Sequence, residues 1–208
     1  MTTTAPLRQP RKDAAANRAG ILRAAATTLA VDPSASIDQI ARAAGLSRRA
    51  LYGHFDDRRA LLSELLSAGT QRFNTIAASV DERTPPPLAL ARLTAALWTE
   101  ASRMQMAAAL ALDDMHLEQT ATALTPLRRT LAAVVRAGQD DGSMRTDMPA
   151  PTLARLIEET ARGAVSRIDA SSPVATSLAV RAVLSIAGLS WRESAALLNA
   201  HPDVLEGK

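Results

Sequence analysis

Two short helical segments joined by a glycine turn, between residues 36 and 55, constrain the fold more than any other feature of the sequence. Ser36 and Gln39 form the pattern S-x-x-Q, a capping box that marks the start of a helix. Apolar residues follow at helical spacing and predict its inward face: Ile37, Ile40 and Ala44. Gly45 comes next and is placed as the left-handed residue that ends this helix.

A second short helix is predicted directly after the glycine. Ser47 is its N-cap, and the helix runs from Arg48 to about His54, with Leu51 and Phe55 turned to the core. This order of helix, glycine-containing turn and helix is the helix-turn-helix signature. In that motif the first helix crosses the phosphate backbone, and the second enters the major groove of DNA with its N-terminus first.

The predicted N-terminus of the second helix carries Arg48 and Arg49. An arginine can donate two hydrogen bonds to O6 and N7 of guanine. The charge distribution agrees: residues 1–60 hold ten Arg and Lys against five Asp and Glu, whereas residues 61–208 hold fourteen against sixteen. A coding preference for arginine would give the same excess, so the motif and not the charge predicts double-stranded DNA as the partner.

Composition favours an all-α protein. Hydrophobic residues make up 47% of the chain but aromatic residues only 2%, and alanine, leucine and arginine are the strongest helix formers. The absence of cysteine excludes disulfides and thiolate chemistry. No apolar run approaches the roughly 18 residues of a membrane span, and the N-terminus lacks the apolar region of a signal peptide. A soluble cytoplasmic protein is therefore expected.

Breaks in the helical pattern predict the domain organisation. Residues 1–12 are expected to form a flexible basic arm, residues 13–56 the helix-turn-helix domain, and residues 57–208 a larger helical domain. A helix over about 57–80, capped by Asp56, links the two domains. Further helices are expected over about 88–103, near 104–112, over about 122–139, from Pro149 and Pro151 to about Ile168, and from residue 174 to about Asn199.

The segment from Ser36 to Leu62 closely resembles the DNA-binding segment of the TetR family of regulators. Three separate features carry the resemblance: I-A-R-A-A-G-L-S from Ile40, L-Y-G-H-F from Leu51, and a cation three residues after Phe55. The resemblance implies about nine helices, with a three-helix N-terminal DNA-binding domain and a C-terminal helical bundle for ligand binding and dimerisation.

The resemblance also implies roles for individual residues. Arg48, Arg49 and Ala50 occupy positions that usually read bases. Backbone contacts are implied for Ser36, Tyr52, His54 and Arg58, the last standing where the family usually has lysine. Ser47, the cap of the second helix, is also counted among the DNA-binding residues. Two departures make this surface more basic: Arg49 replaces a residue that is often small, and Arg59 replaces a frequent glutamate. As alternatives, Tyr52 is a half-buried aromatic residue and His54 packs against the first helix.

The last two predicted helices carry apolar seams, and the resemblance implies that they form a four-helix dimer interface. The interface candidates are Leu153, Ile157, Ala164, Ile168, Leu178, Ala182, Ile186 and Leu189. Small residues among them would permit close approach of helices. The alternative is that both helices pack inside one subunit.

A ligand pocket is expected among the middle helices, where a tryptophan and three methionines occur in a chain otherwise poor in large side chains. The candidates are Trp98, Met104, Met106, Leu110, Met115 and His116. Methionine adapts to irregular apolar ligands, and tryptophan offers a flat face with one N–H donor. Few charges lie in this region, so an apolar ligand is favoured. Each of these residues is, alternatively, ordinary core.

These observations predict a homodimeric repressor that a small ligand releases from a palindromic operator. Two other classes remain open: an architectural DNA-binding protein without a ligand, and an enzyme built on a helical bundle. No phosphate-binding loop, dinucleotide fingerprint or nucleophile elbow is present in the sequence. Asp113 and His116 alone are too few to hold a metal, so neither a metal nor a cofactor is expected.

Overall fold

The computed structural model describes residues 10–32, 34–103 and 122–206. Within these residues the chain forms nine α-helices and one 3-10 turn and no strand, as the all-α prediction requires. The helices are α1 Pro10–Val31, α2 Ile37–Ala43, α3 Arg48–Tyr52, α4 Arg58–Ala78, α5 Pro86–Arg103, α6 Thr125–Asp140, α7 Ala150–Arg167, α8 Ala175–Ala187 and α9 Trp191–Ala200, followed by the 3-10 turn Pro202–Val204. None of the described helices is long and apolar enough to cross a membrane.

The chain divides into two compact units, Met1–Leu66 and Ser67–Lys208. Helix α4 begins in the first unit and continues into the second. In the first unit α1 packs on α2 and α2 packs on α3. Their fully buried side chains include Ile21 and Leu29 of α1, Ile40 of α2 and Leu51 of α3.

The core of the second unit is aliphatic. Helix α8 packs against α5 and α7, α6 against α5 and α7, and α9 against α8. Leu90, Val135, Leu153, Val180 and Leu184 are fully buried there. Leucine, valine and alanine fill this core almost without aromatic residues, which agrees with the composition.

Glu158 joins α6 to α7 by charge as well as by packing. Its carboxylate accepts two hydrogen bonds of 2.8 Å from Arg128 of α6 and one of 3.1 Å from Arg162 of α7. Burial alone raises the pKa of Glu158, but the two arginines outweigh this effect and the pKa lies below its usual value. Glu158 therefore stays ionised in the folded state.

Most predicted helix ends are confirmed within a few residues, with three corrections. Helix α1 begins at Pro10, so residues 10–12 of the predicted arm are helical, while residues 1–9 lie outside the described residues. Helix α4 begins at Arg58, and the residue that caps it is Asp57, whose Oδ1 accepts from the Ala60 N–H at 2.7 Å. The prediction of Asp56 as the cap was wrong by one residue.

The third correction concerns the end of the chain, where two helices replace the single one predicted. Helix α8 ends at Gly188, whose φ of 107° lies in the left-handed region that favours glycine. Ser190 then starts α9 with a capping box, accepting from the Glu193 N–H while Glu193 accepts from the Ser190 N–H. The short helix predicted near 104–112 lies outside the described residues.

Candidate DNA-binding surface

Hydrogen bonds at the ends of the two short helices hold the predicted helix-turn-helix motif. At the start of α2 the Ser36 hydroxyl accepts from the Gln39 N–H at 3.3 Å, and Gln39 Oε1 accepts from the Ser36 N–H at 2.6 Å. At its end Gly45 has a φ of 70°, and the Leu46 N–H reaches back to the Ala41 carbonyl at 2.9 Å. The capping box and the left-handed glycine are thus both confirmed.

The first turn of α3 presents polar and charged groups to solvent. Ser47 caps this helix by accepting from the Ala50 N–H at 3.2 Å, which leaves the hydroxyl proton for a further hydrogen bond. Arg48 and Arg49 are both exposed, and Ala50 is half-buried. The side chains predicted to read bases therefore lie at the solvent-facing start of α3, while Leu51 and Phe55 are buried beneath it, as predicted.

Arg48 has two partners in the free protein. Its Nη1 lies 3.1 Å from Oδ2 of Asp38 on α2, and its guanidinium lies 5.5 Å from the centre of the Tyr52 ring. Tyr52, followed by Asp38, raises the pKa of Arg48 above its usual value. The guanidinium is thus charged and held by neighbours on both short helices.

The residues implied to contact the DNA backbone surround this turn. Ser36 is exposed, Tyr52 retains 39% of its surface, and His54 is half-buried. Arg58, at the start of α4, donates from Nε to the Ala35 carbonyl at 3.4 Å, which ties it to the residue before the α2 cap. All eight predicted DNA-contact residues therefore fall on one continuous stretch of the first unit, from Ser36 to Arg58.

Arg18 of α1 is a residue that the sequence analysis missed. It forms a two-point contact with the Glu64 carboxylate of α4, with Nε 2.6 Å from Oε1 and Nη2 beside Oε2. Its Nη1 donates to the His54 carbonyl, and the guanidinium lies 4.3 Å from the centre of the Phe55 ring. Arg18 thereby fixes the end of α3 to α1 and α4.

Of the six predicted pocket residues, Trp98 alone lies within the described residues. Its side chain is 5% exposed and packs with Ala164 of α7 and with Ala175 and Ala179 of α8. Met104, Met106, Leu110, Met115 and His116 lie outside the described residues. The pocket stays a prediction.

The predicted dimer residues differ in how far their side chains are buried. Leu153 and Ile157 are buried in the core of their own subunit, so their side chains have no surface to offer to a partner. Leu178 of α8 is 47% exposed. An open groove of about 480 Å³ lies along α7 and reaches Ala182 of α8. Leu156, Thr160, Gly163, Ala164, Ile168 and Ala182 line the groove, together with Glu159 and Arg167. Ile186 and Leu189 are partly buried against the core.

Comparisons with known proteins find a family match for the segment that holds this surface. Residues 21–65 match the family of bacterial regulatory proteins, tetR family. This segment includes α2, α3 and the start of α4, so it covers the whole predicted surface from Ser36 to Arg58. No match is found among curated proteins.

Solved structures share the fold over most of the chain. AmtR from Mycobacterium smegmatis is 18% identical with a TM-score of 0.69, covering 100% of this chain and 99% of that chain. PfmR, a TetR family transcriptional regulator from Thermus thermophilus, is 22% identical with a TM-score of 0.67, covering 82% and 98%. RolR in complex with its ligand resorcinol is 15% identical with a TM-score of 0.54, covering 90% and 95%.

The capped helix pair lies within the segment that matches bacterial regulatory proteins, and a helix pair of this kind is a DNA-binding motif. Residues 21–65 match the family model of TetR-type bacterial regulatory proteins, and the described helices share the fold of solved structures that include a TetR-family regulator. The resemblance predicted from Ser36 to Leu62 is confirmed.

Proposed function

We propose that this protein is a homodimeric repressor that binds a palindromic operator through α2 and α3 and leaves it when a small, largely apolar ligand binds the second unit. The observation that carries the proposal is the exposed pair Arg48 and Arg49 at the capped start of α3, within a TetR-family domain. A helix that enters the major groove by its N-terminus brings these two guanidinium groups to the base edges.

The eight predicted DNA contacts are of two chemical kinds, contacts to bases and contacts to phosphates. Arg48 and Arg49 recognise bases, because an arginine can bind guanine with two parallel hydrogen bonds, and Ala50 packs on an apolar base edge. The other five residues bind phosphates and set the register of the protein on the duplex, without sequence preference: Ser36, Ser47, Tyr52, His54 and Arg58. Their hydroxyl, imidazole and guanidinium groups all donate hydrogen bonds to phosphate oxygens.

Dimerisation follows from the exposed apolar surface of α7 and α8. Leu156 and Leu178 are exposed, and the groove that Leu156 lines also contains Gly163 and Ala182, whose small size admits a closely packed partner helix. A second copy with the same face forms a two-fold interface. The two recognition helices of such a dimer read two half-sites about 34 Å apart, so the operator is palindromic.

The ligand site is proposed for the region of Trp98 and the sequence that follows it. Trp98 is the largest buried side chain at the junction of α5, α7 and α8; its buried neighbours are alanines, and Val165 and Ile168 pack against them from partly buried positions. Three methionines follow in the sequence before His116, and they suit an apolar ligand. The complex of RolR with resorcinol is a precedent, within this fold, for a small aromatic ligand.

The decisive experiment selects DNA from a random duplex pool with the full-length protein and then measures affinity by fluorescence anisotropy at several salt concentrations. Arg48→Ala is expected to lose about 1–3 kcal/mol on the selected duplex and to relax one base position. Arg58→Ala is expected to weaken selected and shuffled duplexes alike and to lower the salt slope by about one.

Arg136→Ala is the matched control, because it removes the same charge from an exposed position on α6 in the second unit. Both DNA affinities should then stay near those of the wild type. Enrichment of no sequence at all would contradict a sequence-specific regulator and favour an architectural role. Equal effects of Arg48→Ala on selected and shuffled duplexes would remove Arg48 from the base-reading set.

A further inference from the structure

Asp38 is an acidic residue inside a surface that must approach a polyanion. It is the second residue of α2, and its Oδ2 lies 3.1 Å from Nη1 of Arg48. The side chains of Asp38 and Arg48 are 43% and 64% exposed. An ion pair this exposed contributes little to folding stability. The ion pair therefore does not explain, through stability, why an acidic residue lies in this surface.

The two oxygens of the Asp38 carboxylate have different surroundings. Its Oδ1 is buried and has no hydrogen-bond partner among the described residues, while Oδ2 faces Arg48. Tyr52 lies against the same guanidinium, 5.5 Å from ring centre to Cζ. Arg48 is therefore positioned between a carboxylate from α2 and an aromatic ring from its own helix.

We propose that Asp38 is a positioning residue that raises the sequence discrimination of Arg48. The proposal rests on the proposed function, because it concerns how the same surface distinguishes an operator from other DNA. Asp38 acts in two ways: it orients the guanidinium toward the groove, and it opposes the movement of Arg48 toward phosphates, which are present in every sequence.

The donor geometry of arginine makes both effects compatible with base reading. A guanidinium has five N–H donors in one plane, and Asp38 engages Nη1. Nη2 and Nε keep donors for a two-point contact with guanine, so the pair need not break on the operator. Arg48 must leave Asp38 to reach out to a phosphate, and the exposed carboxylate also repels the DNA backbone. The loss of the Asp38 contact weakens nonspecific binding more than specific binding, whereas the repulsion acts on every duplex alike and leaves the ratio of the two affinities unchanged.

The test compares Asp38→Asn with the wild type on the duplex that the wild type selects and on a shuffled duplex of equal composition. Asp38→Asn is expected to raise affinity for the shuffled duplex by up to about fivefold, the equivalent of one exposed ion pair. The ratio of the two affinities is expected to fall about tenfold, within the range that a single base contact contributes. A selection repeated with the variant should lose preference at the base that Arg48 reads.

A double-mutant cycle shows whether Asp38 acts through Arg48. In an Arg48→Ala background, Asp38→Asn should change the affinity ratio less than twofold. Asp56→Asn is the charge-matched control, since Asp56 is an exposed acid of the same unit, and its ratio should match that of the wild type.

Three results would overturn the proposal: an unchanged ratio in Asp38→Asn, a full effect of Asp38→Asn without Arg48, or the same effect in Asp56→Asn. A purely structural role at the start of α2 would shift the melting temperature and leave the ratio unchanged, which also overturns it. If the wild type selects no duplex, the proposed function itself fails; a selected duplex with an unchanged ratio removes only the role of Asp38.

Discussion

Replacement of Arg18 by alanine tests how the recognition helix is held. The variant loses the two-point contact with Glu64, the hydrogen bond to the His54 carbonyl and the stacking on Phe55. The side chains of Arg18 and Glu64 are 41% and 33% exposed, so screening limits their ion pair to about 1 kcal/mol. The carbonyl bond adds about 1 kcal/mol and the ring contact about 0.5–1 kcal/mol. A loss of about 2–3 kcal/mol is expected.

Hydrogen exchange followed by mass spectrometry measures this loss locally. Where exchange reports the opening equilibrium, amides of α1 to α3 should exchange about 30- to 100-fold faster in Arg18→Ala, since each 1.4 kcal/mol is tenfold. Amides of α8, in the core of the second unit, are the internal reference. Arg23→Ala is the matched control, because Arg23 is an exposed arginine on the same helix.

The pair itself is isolated by combining Arg18→Ala with Glu64→Ala. Because the two side chains touch, the double variant should be more stable than the sum of the single effects predicts, by about 1 kcal/mol. Protection within twofold of the wild type in Arg18→Ala, or a coupling energy near zero, would refute the idea that this arginine holds α3 in place.

Three further predictions concern the second unit. Leu178→Asp places a charge on the exposed apolar face of α8 and should give monomers with unchanged helix content by sedimentation and circular dichroism; Ala133→Asp, exposed on α6, should stay dimeric. Because its pKa is lowered on folding, Glu158 stabilises the protein at pH values above its unfolded pKa, and this contribution disappears as pH falls through the folded pKa. The stability difference between the wild type and Glu158→Gln should therefore be largest near pH 7 and shrink below about pH 4 in urea titrations. Gly188→Ala should lower the free energy of unfolding by about 1–3 kcal/mol, because the φ of Gly188 is 107° and the added Cβ would lie 2.8 Å from a side-chain carbon of the neighbouring loop. Gly142→Ala is the control and should cost less, because Gly142 has a φ of 74° but open space around it. Equal losses of stability in the two variants would mean that the contact at Gly188 is irrelevant.

Local signals account for what the sequence predicted well. The start of α2 at Ser36, its end at Gly45 and the start of α3 at Ser47 are each determined by residues within four positions of one another. The same kind of signal marks the break between α8 and α9, where Gly188 precedes a capping box of Ser190 and Glu193. The prediction of one helix there was wrong although the sequence held the information.

The contacts of Arg18 could not be predicted from the sequence, for a different reason. Its partners Glu64 and His54 lie 46 and 36 residues away along the chain. No periodicity or spacing connects positions so distant, because they meet only after α1, α3 and α4 have packed. One sequence signal was available. Arg18 lies three residues before Ile21, which is fully buried, and residues three positions apart are neighbours on a helix, so Arg18 begins next to the buried face of α1.

The dimer interface stays a prediction, and the geometry of α7 explains why two of its candidate residues are buried within one subunit. Leu153 and Ile157 face their own core, whereas Leu156 and Thr160 line the exposed groove. Residues three positions apart on a helix are neighbours around its circumference, so the inner and outer stripes form one continuous apolar arc. A sequence pattern predicts the width of such an arc but not which edge faces the same subunit, because that depends on where α6 and α8 pack. The exposed edge is consequently where an interface variant must be placed: a charge at Ala164, which is nearly buried, would disrupt the subunit itself, whereas a charge at Leu178 tests the association alone.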